Sequence, residues 1–114
     1  MLYHEFEAGN NVYKLRLNTR NVVSLEKQLG CNPVMVFGQG DTVPTVTQMV
    51  AILTASLQTY HHGMTTDKAY DIFDAYLADG HAMTDFISEI ISIYRASGIM
   101  KPEDTPEDTE EVKN

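Results

Sequence analysis

Histidines, a lone cysteine and clustered carboxylates are the residues of this sequence with the chemistry to bind a metal or catalyse a reaction. His61 and His62 are adjacent, so they would point to different sides of a helix end, and no HxxxH or HExxH spacing occurs in the chain. The partial negative charge at a helix C-terminus favours histidine there without any ligand. The histidines therefore predict no metal site.

Three other groups of residues also favour a structural role. The segment at 38–41 (GQGD) has no Lys-Ser/Thr pair after it and no buried strand before it, so it does not match a phosphate-binding loop. Cys31 has no obvious base beside it and fits a small core residue. Asp67, Asp71 and Asp74 lie at helical spacing and fit a solvated helix face, because magnesium and calcium sites draw ligands from a tight loop or several elements. We therefore predict no cofactor and no enzymatic activity.

The composition limits the classes of protein to which the chain can belong. The 114 residues fit one domain, 43% of them are hydrophobic, and no apolar run approaches the roughly 18 residues of a membrane span. The net charge is −8 and no basic patch occurs, which disfavours binding to nucleic acid. The single cysteine and the absence of a signal-peptide pattern at the N-terminus predict a cytoplasmic protein.

Residues 2–17 alternate in polarity with the period of a β-strand, on both sides of a turn at 8–11 (AGNN). Alternation around a turn rich in glycine and asparagine predicts a β-hairpin. Because an isolated hairpin is only marginally stable in water, we expect it to pack on the helices that follow.

The rest of the chain has apolar-periodic stretches that end at glycines, which adopt the left-handed conformation beyond a helix end without steric cost. These glycines are Gly30, Gly63, Gly80 and Gly98. The residues that suit the helix starts are Asn18 or Thr19, Thr45 in a capping box with Gln48, Thr65 or Thr66, and a position between His81 and Thr84. A short helical turn at 33–37 opens with Asn32 and Pro33.

These elements predict an α+β fold that is mainly α, in which an N-terminal β-hairpin packs on a small bundle of four to five helices. Residues 1–100 form a single globular domain in this prediction. Residues 101–114 hold six acids and two lysines, carry half of the net charge, and contain only Val112 as a sizeable apolar side chain. Such a segment does not offset the entropy of ordering, so we predict a disordered acidic tail.

The apolar faces of the helices give two sets of candidate residues. The predicted contributors to the core are Leu25, Leu29, Leu53, Leu57, Phe73, Leu77, Phe86, Ile87 and Ile90. Tyrosine and methionine suit adaptable interfaces as well as cores. The candidate partner-binding residues are Met49, Leu53, Tyr60, Tyr70, Tyr76 and Tyr94.

The run at 13–20 (YKLRLNTR), followed by the run at 23–33 (VSLEKQLGCNP), resembles the opening of the small tail assembly chaperones of long-tailed phages and prophages of Gram-positive bacteria. In that family a strand leads into a helix with the pattern leucine-glutamate-x-x-leucine-glycine, and a short second helix follows. The resemblance continues through the segments PTVTQM, YHHG and YDIFDAY, and it covers roughly residues 10–100.

The resemblance implies a non-enzymatic assembly factor in the cytoplasm of the bacterial host that is absent from the mature virion. Its implied partners are the long, helical tape measure protein, which it keeps soluble, and the tail tube protein, whose subunits it helps to recruit. We also consider weak self-association. The family offers no catalytic residues and no sharply defined binding residues, so the candidate binding residues come from the apolar helix faces alone.

The acidic composition leaves a second hypothesis open, a phage-encoded inhibitor that mimics the charge of nucleic acid on a host protein. Such mimics usually spread their carboxylates over an ordered surface, whereas half of the net charge here lies in residues 101–114. Deletion of these residues separates the hypotheses, because it should weaken a charge-based inhibitor and leave helix-groove binding largely intact.

Overall fold

A computed structural model of the protein describes residues 2–37 and 43–101. Within these ranges a two-stranded sheet comes first, and four α-helices and two short 3-10 helices follow. None of these helices has the length and apolar content needed to cross a membrane. The glycine-rich loop at 38–42 and the predicted acidic tail, apart from Lys101, lie outside the described residues.

The sheet is an antiparallel hairpin of β1 (His4–Ala8) and β2 (Asn11–Leu15). The two residues between the strands, Gly9 and Asn10, have φ angles of 57° and 70°. Two consecutive positive φ angles are typical of the type I′ turn, whose twist matches that of the flanking strands. The predicted hairpin is therefore confirmed, with a two-residue turn at its tip.

The helical part consists of four α-helices with one 3-10 helix before the second and another before the fourth. Their bounds are α1 (Thr19–Leu29), a 3-10 helix at Pro33–Phe37, α2 (Val46–Leu57), α3 (Thr66–Ala78), a 3-10 helix at Met83–Asp85, and α4 (Phe86–Ser97). The predicted fold class, an α+β fold with an N-terminal hairpin and a small helical bundle, is confirmed.

Local capping explains where most of these helices begin and end. The side chains of Asn18, Thr45 and Thr65 each accept a hydrogen bond from the backbone N–H three residues later, which satisfies a donor that the first helical turn leaves unpaired. Gly30 and Gly98 directly follow α1 and α4 with φ angles of 74° and 82°. These starts and stops follow from the sequence.

The second helix ends earlier than the sequence predicts. Its apolar stripe continues to Tyr60 and the expected stop is Gly63, but α2 ends at Leu57. The carbonyl oxygen of Ser56 accepts a hydrogen bond from the backbone N–H of Arg16, the residue after β2, at 2.9 Å, so it bonds to the end of the hairpin. The prediction that this helix extends to Gly63 is wrong, because a tertiary hydrogen bond occupies the Ser56 carbonyl. Beyond Leu57 the chain forms a turn, in which the His61 N–H donates to the Leu57 carbonyl at 2.8 Å.

The inner face of the hairpin and the helices share one core. The ring of Phe6 on β1 contacts the rings of Tyr76 and Phe86, with centroids 5.0 and 5.6 Å apart. Of the predicted core residues, those that are fully or almost fully buried are Leu25, Leu53, Leu57, Phe73, Phe86 and Ile90. Those that are partly buried and packed against this core are Leu29, Leu77 and Ile87.

Replacement of Leu53 by alanine tests the central position of α2. Leu53 is 0% exposed, so Leu53→Ala leaves a cavity and should lower the free energy of unfolding by about 2–5 kcal/mol. Val46, in the first turn of the same helix, is 38% exposed, and Val46→Ala should change that free energy by less than about 0.5 kcal/mol. Urea unfolding followed by circular dichroism measures both values. Equally small losses for the two variants would contradict the burial of α2.

Candidate partner-binding surface

The end of α2 closes the outer edge of β2. Alternate residues of a strand point their backbone groups away from the paired strand, and these groups need other partners. The Arg16 N–H donates to the Ser56 carbonyl at 2.9 Å, and the Thr59 hydroxyl donates to the Arg16 carbonyl at 2.9 Å. The Lys14 N–H donates to Nε2 of His61 at 3.1 Å. One backbone–backbone bond and two bonds from side chains therefore fix the hairpin against the end of α2 and the segment that follows it.

The side chain of Arg16 joins the N-terminal residues to the end of α4. Its Nη1 donates to the carbonyl oxygens of Leu2 and Ala96, each 2.8 Å away. Ala96 lies in the last turn of α4, where carbonyl groups have no partner within the helix. The Leu17 N–H donates to the hydroxyl of Ser97 in the same turn at 2.8 Å. These bonds place the residues that precede β1 beside those that follow β2.

Two tyrosines and a lysine form a surface beside this junction, which we call the aromatic platform (Tyr3, Lys14 and Tyr60). The rings of Tyr3 and Tyr60 meet edge to face, with centroids 5.5 Å apart. Nζ of Lys14 lies 5.0 Å from one centroid and 5.7 Å from the other, within the range of a cation–π interaction. Lys14 and Tyr60 are exposed, so the platform offers aromatic and cationic contacts to a partner.

The outer face of the hairpin continues from the platform. Glu5 and Glu7 on β1 and Val12 and Lys14 on β2 are all exposed there, and the register pairs Glu5 with Lys14 and Glu7 with Val12. The opposite face of the sheet is the one that packs into the core. The described helices therefore leave one complete face of the hairpin uncovered.

The structure exposes two of the six residues predicted to bind a partner and buries the other four. Two are exposed, at 39% and 45%, and they remain candidates: Tyr60 and Tyr70. Four lie in the core instead, with at most 3% of their surface exposed: Met49, Leu53, Tyr76 and Tyr94. A helical stripe has the same periodicity whether the chain itself or a partner covers it, and here the chain covers it. These four residues are therefore removed from the candidate surface.

Both buried tyrosines donate hydrogen bonds within the chain. The Tyr94 hydroxyl donates to the Pro33 carbonyl at 2.8 Å, and burial raises the pKa of Tyr94 well above its usual range. The Tyr76 hydroxyl donates to Oε2 of Glu89 at 3.4 Å, and its ring stacks on His81 with centroids 4.1 Å apart. Burial, and then the neighbouring Glu89 carboxylate, raise the pKa of Tyr76. Both phenols stay protonated at neutral pH and connect elements of the fold.

Glu89 also joins β1 to α4. Its Oε1 lies 2.6 Å from Nε2 of His4, so a carboxylate, an imidazole and the Tyr76 phenol meet at the edge of the core. The cluster connects β1, α3 and α4. Across residues 2–37 and 43–101, no group of three or more histidine, cysteine, aspartate or glutamate side chains is arranged to hold a metal ion.

Sequence reasoning did not identify Tyr3, Lys14 and Arg16, which precede the first helix, as parts of this surface. The strand alternation assigns Tyr3 and Lys14 to outward positions of the hairpin, and this was the available signal that they lie on one face. Tyr60 was among the predicted residues, but its contact with Tyr3 had no sequence signal, because that contact depends on the early end of α2. Arg16 directly follows β2, and no sequence pattern predicts its four hydrogen bonds.

Acidification should weaken the contact between His61 and β2. Burial, and then the positive charge of Lys14, lower the pKa of His61 below 6.5, and its Nε2 accepts the Lys14 N–H only when that nitrogen is unprotonated. As the pH falls below about 6.5, the unfolded chain binds a proton at His61 before the folded chain does, so the free energy of unfolding decreases until the folded pKa is passed.

Urea unfolding between pH 7.5 and pH 5 measures this effect. The His61→Gln variant should lose less stability over that range than the unmodified chain, and the exposed neighbour provides the matched control His62→Gln, which should behave like the unmodified chain. An imidazole titration of His61 by NMR with a midpoint at or above 6.5 would contradict this account.

The comparison with curated proteins gave no match, and neither did the comparison with solved structures. One family model matches residues 4–110, which include both strands of the hairpin and all four α-helices. That model describes a family of unknown function. Because the match spans nearly the whole chain, this protein belongs to the family of unknown function DUF6096.

Proposed function

We propose that this protein is a tail assembly chaperone of a long-tailed phage or prophage. It binds the tape measure protein in the host cytoplasm, keeps it soluble, helps to recruit tail tube subunits, and does not remain in the mature virion. The sequence support is the ordered resemblance described above. Its first two runs cover the end of β2, Arg16 and most of α1.

The aromatic platform is the observation that carries the proposal. A long helical client exposes apolar side chains in a stripe, and a partner protein can cover such a stripe. The rings of Tyr3 and Tyr60 present apolar edges together with polar hydroxyl groups. This combination suits a surface that contacts water in the free protein and is covered in a complex. The ammonium of Lys14 adds a positive charge for acidic residues that flank the stripe.

Co-expression with the tape measure protein from the same gene cluster tests this function. The tagged chain should co-purify with the tape measure protein and raise its soluble fraction. With the double variant Tyr3→Ser/Tyr60→Ser, the amount of tape measure protein that co-purifies should fall at least about tenfold. The reason is that truncation of a central interface aromatic costs on the order of 1 kcal/mol or more. Met83→Ser is the matched control, since it removes a similarly exposed side chain (44%) at another site and should bind as the unmodified chain does.

Further variants and outcomes distinguish the chaperone from the inhibitor. Tyr70→Ser tests the other exposed tyrosine on its own, and melting temperatures of all variants show whether each is folded. Failure of the unmodified chain either to capture the tape measure protein or to increase its solubility would contradict the proposal. Capture of a host enzyme that is lost on deletion of residues 101–114 would instead favour the charge-mimicking inhibitor.

A further inference from the structure

The hairpin has two backbone edges, and its turn determines which residues form each. A two-residue turn makes the flanking residues, Ala8 and Asn11, a hydrogen-bonded pair. Hydrogen-bonded and non-hydrogen-bonded pairs alternate along an antiparallel ladder. The N–H and carbonyl groups of Glu5 and Glu7 therefore point away from β2, at the outer edge of β1.

The two edges differ in their partners. The outward N–H groups of Lys14 on β2 and of Arg16 just after it bond to the segment after α2 and to the end of α2, as shown above. On β1 the outward backbone groups of Glu5 and Glu7 make no hydrogen bond to any residue within 2–37 or 43–101, and both residues are exposed. Because backbone groups left unbonded in a protein interior are rare, this edge meets solvent.

We infer that the open edge of β1 binds an extended, basic segment of another protein as a third strand of the sheet. An unpaired strand edge is a template for a further strand, and its main-chain groups supply the hydrogen bonds. Alternate side chains of the added strand would lie beside Glu5 and Glu7 on the outer face, where opposite charges stabilise a cross-strand pair. Lysine or arginine at every second position meets this requirement, and the net charge of −8 attracts such a segment.

Charge disfavours two other occupants of the same edge. A second copy that paired its whole β1 strand antiparallel with this one would place Glu5 opposite Glu7 of that copy, and like charges in that position are destabilising. Residues 101–114 of the chain itself hold six acids against two lysines, so their charge also opposes Glu5 and Glu7. The inference uses the strand edge and not the aromatic platform, so it goes beyond the proposed function and does not depend on it.

A short peptide serves as the probe for this edge. We would titrate the full chain, labelled with ¹⁵N, with a blocked seven-residue peptide of alternating lysine and valine, and compare it with the same peptide carrying glutamate in place of lysine. The lysine peptide should shift the amide signals of Glu5 and Glu7 most and slow their hydrogen exchange. The glutamate peptide should bind at least about tenfold more weakly.

Two matched proline variants locate the binding to one edge. Glu5→Pro removes an outward N–H of β1 without removing a hydrogen bond between the strands, and it should weaken binding at least about tenfold. Val12→Pro makes the equivalent change at an outward position of β2, and it should bind as the unmodified chain does. The double variant Glu5→Gln/Glu7→Gln keeps the backbone intact, so it tests the charge requirement even if a proline variant does not fold. It should weaken binding about tenfold and reduce the salt dependence.

Three results would overturn the inference. The first is equal binding of the lysine and glutamate peptides. The second is peptide binding that shifts signals in residues 101–114 and leaves Glu5 and Glu7 unchanged. The third is protection of the Glu5 and Glu7 amides that increases with protein concentration in the absence of peptide, which would assign the edge to a second copy of the chain.

Discussion

The hydrogen bonds of Arg16 set the relation between the sheet and the helices. Its N–H donates to Ser56 at the end of α2, and its carbonyl accepts from Thr59 just after that helix. Its guanidinium donates to carbonyl oxygens near the N-terminus and in the last turn of α4. Each of these groups would otherwise need water or another partner. One residue therefore fixes which edge of the hairpin is closed, where α2 ends, and which residues flank the aromatic platform.

Packing beneath the hairpin follows from this arrangement. With β2 held against α2, the inner face of the sheet contributes Phe6 to a cluster of rings from α3 and α4, and the buried Tyr76 and Tyr94 hydroxyls find partners in Glu89 and Pro33. The outer face and the β1 edge receive no helix among the described residues. The same constraint that completes the core leaves exposed the surfaces on which both proposals depend.

Local sequence signals were sufficient for much of this fold. The AGNN turn, the capping side chains at Asn18, Thr45 and Thr65, and the glycines after α1 and α4 all act within a few residues, so the sequence predicts them directly. The end of α2 was not predictable in this way, because it depends on a hydrogen bond between Arg16 and Ser56. For the same reason periodicity placed Tyr60 and Tyr76 in one candidate group, although the fold exposes the first and buries the second.

A hairpin that is closed at β2 and open at β1 is the central claim, and native-state hydrogen exchange of the free protein tests it most directly. The amide of Arg16 should exchange only on global unfolding, because it donates to Ser56, whereas the amides of Glu5 and Glu7 should exchange orders of magnitude faster. Exchange of Arg16 as fast as that of Glu5, or protection of Glu5 and Glu7 equal to that of Arg16, would contradict the account.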